Sequence, residues 1–375
     1  MTAREELVGR LVLADRVARG RLVIEDGVIA SVDVESRDGD PTEPVIAPGF
    51  VDLHVHGFGG HSAMGGRAAL DGMARALLRR GVTSFLPTAV SAPLGELAAF
   101  AETVRDWMPD APTDGAQPLG FNLEGPFLAP ARHGAHDPAV LRAPADVEPA
   151  IFAPLREGLR VITIAPELSG ALDLIAALAG DGVAVALGHS AATVDEARRG
   201  YAAGARSTTH LFNAMSGLDH RAPGLALAAL LEDAAAVELI ADGHHVAREL
   251  WPLVARLKPA GRLILVSDAL AIAGTPAGRG WIGQLECEIV DGRAILAGTD
   301  TLAGSVIGLD TAIQNVTAAG IPFHDAVAAA STNPCDLLGV ADRGRIAVGQ
   351  RADLAELNGS LQVRRVIRAG ATVVG

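Results

Sequence analysis

The 375-residue sequence has two cysteines, one lysine and no long apolar run, and each scarcity excludes something. Cys287 and Cys335 are too few for a disulfide framework, and neither has the close partner that a cysteine-based metal site needs. They read as ordinary buried thiols. No uninterrupted apolar stretch reaches the roughly 20 residues of a membrane-spanning helix. The opening residues, MTAREELVGR, lack the charged-then-apolar order of a secretory signal, so the expectation is a soluble cytoplasmic protein with no membrane partner. Lys and Arg number 31 against 44 Asp and Glu, a net charge of -13. Broad nucleic-acid binding needs a basic face and is not expected. A small anionic ligand stays open, because a few placed arginines outweigh the global field locally.

What is present is apolar and periodic. Hydrophobic residues make up 49% and the mean hydropathy is +0.30, enough for a large core. After the first 45 residues, short Val/Ile/Leu runs alternate with longer Ala/Leu/Arg stretches of helical period, the mark of repeated βα units around a parallel sheet. Eight strands are expected in VIAPGFVDLHVH, VTSFLPT, PLGFNLEG, LRVITIAPE, GVAVALGHS, ARSTTHL, AVELIADGHH and GRLILVSDA. Helices are expected between them, including 67–80, 171–179, 192–203 and 247–257. This predicts an α/β fold, a (β/α)8 TIM barrel over residues 47–339. Both ends instead alternate apolar and polar residues around turn signals such as EDG and LNG, as antiparallel strands do. Residues 1–46 and 340–375 are therefore expected to meet in a small β-sandwich domain. The segment GQLECEIVDGRAIL from Gly283 reads as an inserted hairpin.

Barrel strands carry their chemistry at the carboxyl ends. There the sequence places His54 and His56, Glu124, His189, His210, the pair His244 and His245, and Asp268. Each alone has a plain structural explanation, an Asp before a helix being an ordinary N-cap. Together they are hard to obtain from packing needs. Residues i and i+2 of a strand share a face, so His54 and His56 can address one ion. Imidazole and carboxylate suit Zn, Fe, Mn or Co, and an open coordination position leaves room for a water whose pKa falls toward neutral. Asp268 is placed to take and return a proton, and metal-assisted hydrolysis follows as the reaction class. The fourth strand has no lysine to carbamylate, so any bridge between two ions must be a carboxylate, with Glu124 the candidate. Only one of His244 and His245 is expected to face the pocket, while His61, His133, His220 and His324 read as surface or loop residues and Glu167 as a structural carboxylate.

The motifs PGFVDLHVHG, GFNLEGPFL, HGAHDP, ITIAPE, LGHSAAT, THLFNAM, RAPGL, IADGHHV, LVSDAL, LAGS, STNPCDLLG and GRIAVGQRADL occur in this order. So ordered, they resemble the amidohydrolase superfamily and, within it, the N-acetylglucosamine-6-phosphate deacetylase family, over essentially the whole chain. The resemblance implies hydrolysis of a sugar acetamide in amino-sugar catabolism or cell-wall recycling. It implies a divalent metal on Glu124, His189 and His210, with one or two ions per subunit left open because His54 and His56 are both retained. Asp268 becomes the catalytic acid and base, and His136, beside Ala135, reaches the acetyl carbonyl or sugar hydroxyls. Asn213, Ala214, Arg221 and His245 are implied to bind phosphate, and Leu302, Ala303 and Gly304 to line the sugar. A homodimer sharing its phosphate site between subunits is implied as well. The family's commoner REPG reads RAPG here, with Ala222 before Pro223 and the arginine intact.

Overall fold

A computed structural model describes every residue except 1–3, 36–38 and 375. The repeated βα pattern rolls up into eight parallel strands, numbered here in chain order: β1 Phe50–Val55, β2 Val82–Val90, β3 Phe121–Glu124, β4 Leu159–Ile164, β5 Ala184–Leu187, β6 Ser207–Thr208, β7 Ala236–Ile240 and β8 Leu263–Val266. Each pairs in parallel with the next. The ring approaches closure where the Asp268 N–H, just beyond β8, donates to the His54 carbonyl of β1 at 2.8 Å.

Strand periodicity sorts the core into two layers. In β5, Val185 and Leu187 pack outward with the helices, while Ala184 and Ala186 join a second cluster. β8 does the same, with Leu263 and Leu265 in one layer and Ile264 and Val266 in the other. Cys335, Leu337 and Leu338, from the helix Thr332–Leu338, pack with the second cluster. Strands covered on both faces need apolar residues at every position, which is why these runs read as continuous rather than alternating.

The expected helices form at Arg67–Leu78, Ala171–Gly180, Val194–Ala202 and Leu250–Leu257. The third starts at Val194 rather than at 192, because Thr193 and Glu196 make a reciprocal capping box that fixes the first turn.

The run VIAPGFVDLHVH, expected as one strand, is two. Val45–Pro48 pairs in the terminal sheet, parallel to Arg4–Val12 and antiparallel to Leu354–Leu357, and only Phe50–Val55 enters the barrel. Gly49 stands at the crossing, where a Cβ would lie 2.3 Å from Thr83 Oγ1. The terminal strands of both ends thus form one seven-stranded sheet, with Val45–Pro48 between the amino-terminal and carboxy-terminal sets. Its apolar residues include Leu7, Leu11, Leu22, Ile46, Leu354 and Ile367. The segment after β8 forms a separate sheet whose central hairpin, Leu285–Val290 with Arg293–Leu296, turns through Asp291 and Gly292 at φ 50° and 77°. A two-residue turn of positive φ matches the twist of the paired strands. No helix among the described residues is long and apolar enough to cross a membrane.

Candidate active site

Strand ends bring the polar residues together at one mouth of the barrel. Glu124 is the last residue of β3, His54 lies near the end of β1 with His56 just beyond it, and His189, His210 and Asp268 follow β5, β6 and β8 by two residues. The last three occupy the left-handed backbone region, with φ of 45°, 25° and 48°. Non-glycine residues held there cost of order 1–3 kcal/mol each and persist only where the surroundings enforce them. The chain turns sharply at three strand ends and delivers a polar side chain at each.

Glu124 is the centre. Its Oε1 lies 3.0 Å from His189 Nε2 and 2.8 Å from His210 Nε2, and those two nitrogens are 3.1 Å apart. Its Oε2 faces His56 Nε2 at 3.1 Å, His136 Nε2 at 3.2 Å and His54 Nε2 at 3.5 Å. Asp268 Oδ1 completes the second set, 3.3 Å from His56 Nε2 and 3.5 Å from His54 Nε2. All seven residues are buried. Three outer ring nitrogens are anchored elsewhere: His56 Nδ1 on the Thr88 carbonyl at 3.2 Å, His189 Nδ1 on the Arg132 carbonyl at 2.8 Å and His54 Nδ1 on Glu238 Oε2 at 3.2 Å. Such contacts set the ring so that Nε2 points inward.

Electrostatics separate the roles. Burial pushes the Glu124 carboxyl upward, but the imidazoles of His54, His136 and His189 more than reverse this and hold it well below its ordinary value. Asp268 is lowered in the same way, burial opposed by His56 and His54. Burial disfavours the charged forms of His54 and His56, yet the surrounding carboxylates raise the first well above its ordinary value and the second to about 9. Protons and metal ions compete for the same Nε2 atoms. A cluster of carboxylates that draws protons onto its histidines is a donor set that fits divalent cations. His136 goes the other way, pushed by burial down to about 4. The Ser91 N–H points at its Nδ1 at 3.2 Å, which assigns the hydrogen of this neutral ring to Nε2. His136 therefore presents a neutral Nε2–H donor, whereas His54 and His56 hold protons that a cation would have to displace.

A cleft of about 460 Å³ opens above this cluster. Glu124, His136, His189, His210 and Asp268 reach its lining, joined by Ala135, Asn213, Ala214, His245, Leu302, Ala303 and Gly304. His54 and His56 sit beneath, reaching it only through Glu124 and Asp268. His245 faces the cleft and His244 is exposed. Asp242 sets this choice: its Oδ1 accepts both backbone N–H groups, and its Oδ2 lies 2.7 Å from His245 Nδ1. Burial opposes the imidazolium of His245, but Asp242 raises its pKa. Asn213 directs its Nδ2 back to the carbonyls of His210 and Leu211, at 3.1 and 3.2 Å, and so braces the loop.

Arg221 stands apart from the other implied phosphate residues. It lies on the exposed loop 217–223, where its backbone N–H is held by Asp219, and it does not line the cleft of its own chain. His133, expected as a bystander, lines the cleft, as does Arg132. Glu167 is structural, accepting from Ser190 Oγ at 2.7 Å and the Ala191 N–H at 2.6 Å. Sequence reasoning missed Glu238, Asp242, Ser91 and Arg132. A charged residue alone inside the apolar run AVELI was the available signal for Glu238.

Fold and site together define a metal-type hydrolase barrel, and the chain belongs to the amidohydrolase family, whose model matches residues 45–373. Within that family it groups with deacetylases of N-acetylated amino-sugar phosphates. It is 37% identical to an N-acetylgalactosamine-6-phosphate deacetylase of Escherichia coli O157:H7, over 92% of both chains. It is also 37% identical to an N-acetylglucosamine-6-phosphate deacetylase of Bos taurus, covering 88% of this chain and 83% of that protein. Among solved structures, an N-acetyl-D-glucosamine-6-phosphate deacetylase mutant from Mycobacterium smegmatis, in complex with N-acetyl-D-glucosamine-6-phosphate, matches with a TM-score of 0.91 at 33% identity and complete coverage of both chains.

Proposed function

We propose that this protein is a cytoplasmic enzyme that hydrolyses the acetamide of N-acetyl-D-glucosamine 6-phosphate, giving D-glucosamine 6-phosphate and acetate. The observation that carries the reading is the division of Glu124, with one oxygen among His189 and His210 and the other among His56, His136 and His54, beside Asp268. Glu124, His189 and His210 would hold the principal divalent ion, and His54 and His56 a second that shares Glu124. Bound there, zinc or another first-row cation polarises the amide carbonyl and lowers the pKa of water.

The chain supplies the rest. Asp268, held ionised, takes a proton from the attacking water at a carboxylate oxygen and returns it to the nitrogen as the C–N bond breaks. His136 offers its Nε2–H to the carbonyl oxygen, where negative charge develops. Asn213, the Ala214 backbone and His245 hold the phosphate, and Leu302, Ala303 and Gly304 shape the sugar pocket. Arg221, exposed on its own chain, fits a phosphate site completed across a homodimer.

The galactosamine epimer is the second reading, favoured by the likeness to the Escherichia coli enzyme. Acetate release by the metal-loaded protein is the test, with both phosphorylated epimers and unphosphorylated N-acetylglucosamine in parallel. Preference for the glucosamine substrate with little turnover of the free sugar supports the proposal. Preference for the galactosamine epimer replaces the substrate, and turnover of neither removes it.

A further inference from the structure

We propose that Glu238, a buried carboxylate of β7, is a positioning residue that ties the two halves of the metal centre together by holding the ring of His54 and the backbone of His210 at once. The inference rests on the metal reading above. Glu238 is 0% exposed. Its Oε2 lies 3.2 Å from His54 Nδ1 and accepts the His210 backbone N–H at 3.3 Å.

A backbone N–H only donates, so Oε2 accepts from His210, and as an ionised carboxylate it accepts from His54 as well, which puts the shared hydrogen on Nδ1. That leaves Nε2 as the nitrogen a cation would take in place of a proton, and Nε2 is the atom facing Glu124 Oε2 and Asp268 Oδ1, both at 3.5 Å. The same oxygen braces the turn at His210, whose left-handed backbone sends the ring to Glu124 Oε1 at 2.8 Å. One atom of β7 thus constrains a nitrogen donor from β1 and another from the end of β6.

The other oxygen, Oε1, is buried and has no hydrogen-bond partner among the described residues. A half-satisfied buried carboxylate opposes folding, so packing alone would favour an apolar residue here, as at every other position of Ala236–Ile240. A group that works against stability while gripping two histidines is accounted for by those histidines. Histidines that bind metal hold their outer nitrogen on a carboxylate or carbonyl, and loss of that partner weakens metal binding about 10–100-fold.

The test compares the wild type with Glu238→Leu, Glu238→Gln and His54→Ala. Zn²⁺ affinity is measured by chelator competition, and melting temperature on the metal-free proteins. Glu238→Leu should lower Zn²⁺ affinity about 10–100-fold while its metal-free form melts no lower than wild type. Glu238→Gln, whose amide oxygen still accepts both hydrogens, should retain most of the affinity. A lower metal-free melting temperature in Glu238→Leu with unchanged Zn²⁺ affinity would mean a merely structural role and overturn the inference. His54→Ala separates two failures: full Zn²⁺ affinity there overturns the metal reading and this inference with it, whereas reduced affinity there and full affinity in Glu238→Leu overturns this inference alone. If Glu238→Leu does not fold, nitrogen-15 NMR of labelled histidines decides. In the Zn²⁺-loaded wild type, a His54 hydrogen on Nδ1 supports the inference, and a hydrogen on Nε2 with Nδ1 bare overturns it.

Discussion

Asp268 and His245 make two different demands on charge. As the proposed general base Asp268 would have to be ionised, and His56 and His54 lower its pKa despite burial. Asp268→Asn should lower kcat about 10²–10⁴-fold, the range of a lost general acid–base group, with metal content unchanged by elemental analysis. Near-normal turnover would remove the assigned role. In the proposed phosphate site His245 would act protonated, and Asp242 raises its pKa. The KM for the phosphorylated substrate should therefore climb as pH rises through that raised value. In Asp242→Asn the climb should begin at lower pH, and an identical profile would separate His245 from phosphate binding. The strand-end histidines and carboxylates were readable because a potential metal or proton ligand recurred at the same place in six of the eight repeats. Glu238 was not, since a lone carboxylate in a strand acquires meaning only through the His54 ring and the His210 backbone that fold against it.

At the scale of elements, the helix Leu225–Leu231 ends on the only lysine. Lys258 is 4% exposed, and its Nζ donates to the carbonyls of Ala229 at 2.9 Å and Glu232 at 2.7 Å. Burial lowers its pKa to about 8, against 10.5 for the free side chain. Below about 8 the ammonium is charged in native and unfolded chains alike. Between 8 and 10.5 the unfolded chain binds more protons, so stability attributable to this group rises with pH across that window. Denaturant unfolding of the wild type and Lys258→Met from pH 7 to 10 should show their difference shifting toward the wild type as pH increases. A flat difference would mean that the two carbonyls balance the burial. Element types followed from periodicity, but the ends followed from local chemistry. Thr193 with Glu196 moved one helix start, and the close approach of Gly49 to Thr83 divided an apparently continuous strand between two sheets.

The whole molecule poses the question of Arg221, which the motif order puts in the phosphate site and the fold puts on an exposed loop. If the phosphate site is completed across a dimer, Arg221→Ala should raise KM with little change in kcat. Mixed dimers of Arg221→Ala with Asp268→Asn should then regain activity that neither parent has at low substrate, because one of their two sites combines an intact Asp268 with an intact Arg221. Mixtures no more active than the sum of the parents would place Arg221 outside the site.

By itself the sequence determined the repeated βα plan, the alternation that lets both ends share one sheet, and the recurrence of histidine and carboxylate at strand ends. Periodicity and strand-end position are local properties carried by consecutive residues. Tertiary structure alone decided that Glu124 divides its two oxygens, that His136 stays neutral while His54 and His56 are drawn toward the charged form, that His245 rather than His244 turns inward, and that Glu238 stands behind His54. These outcomes depend on distances between strands far apart in the chain and on the burial that sets each proton, and neither is written in the order of residues along any one strand.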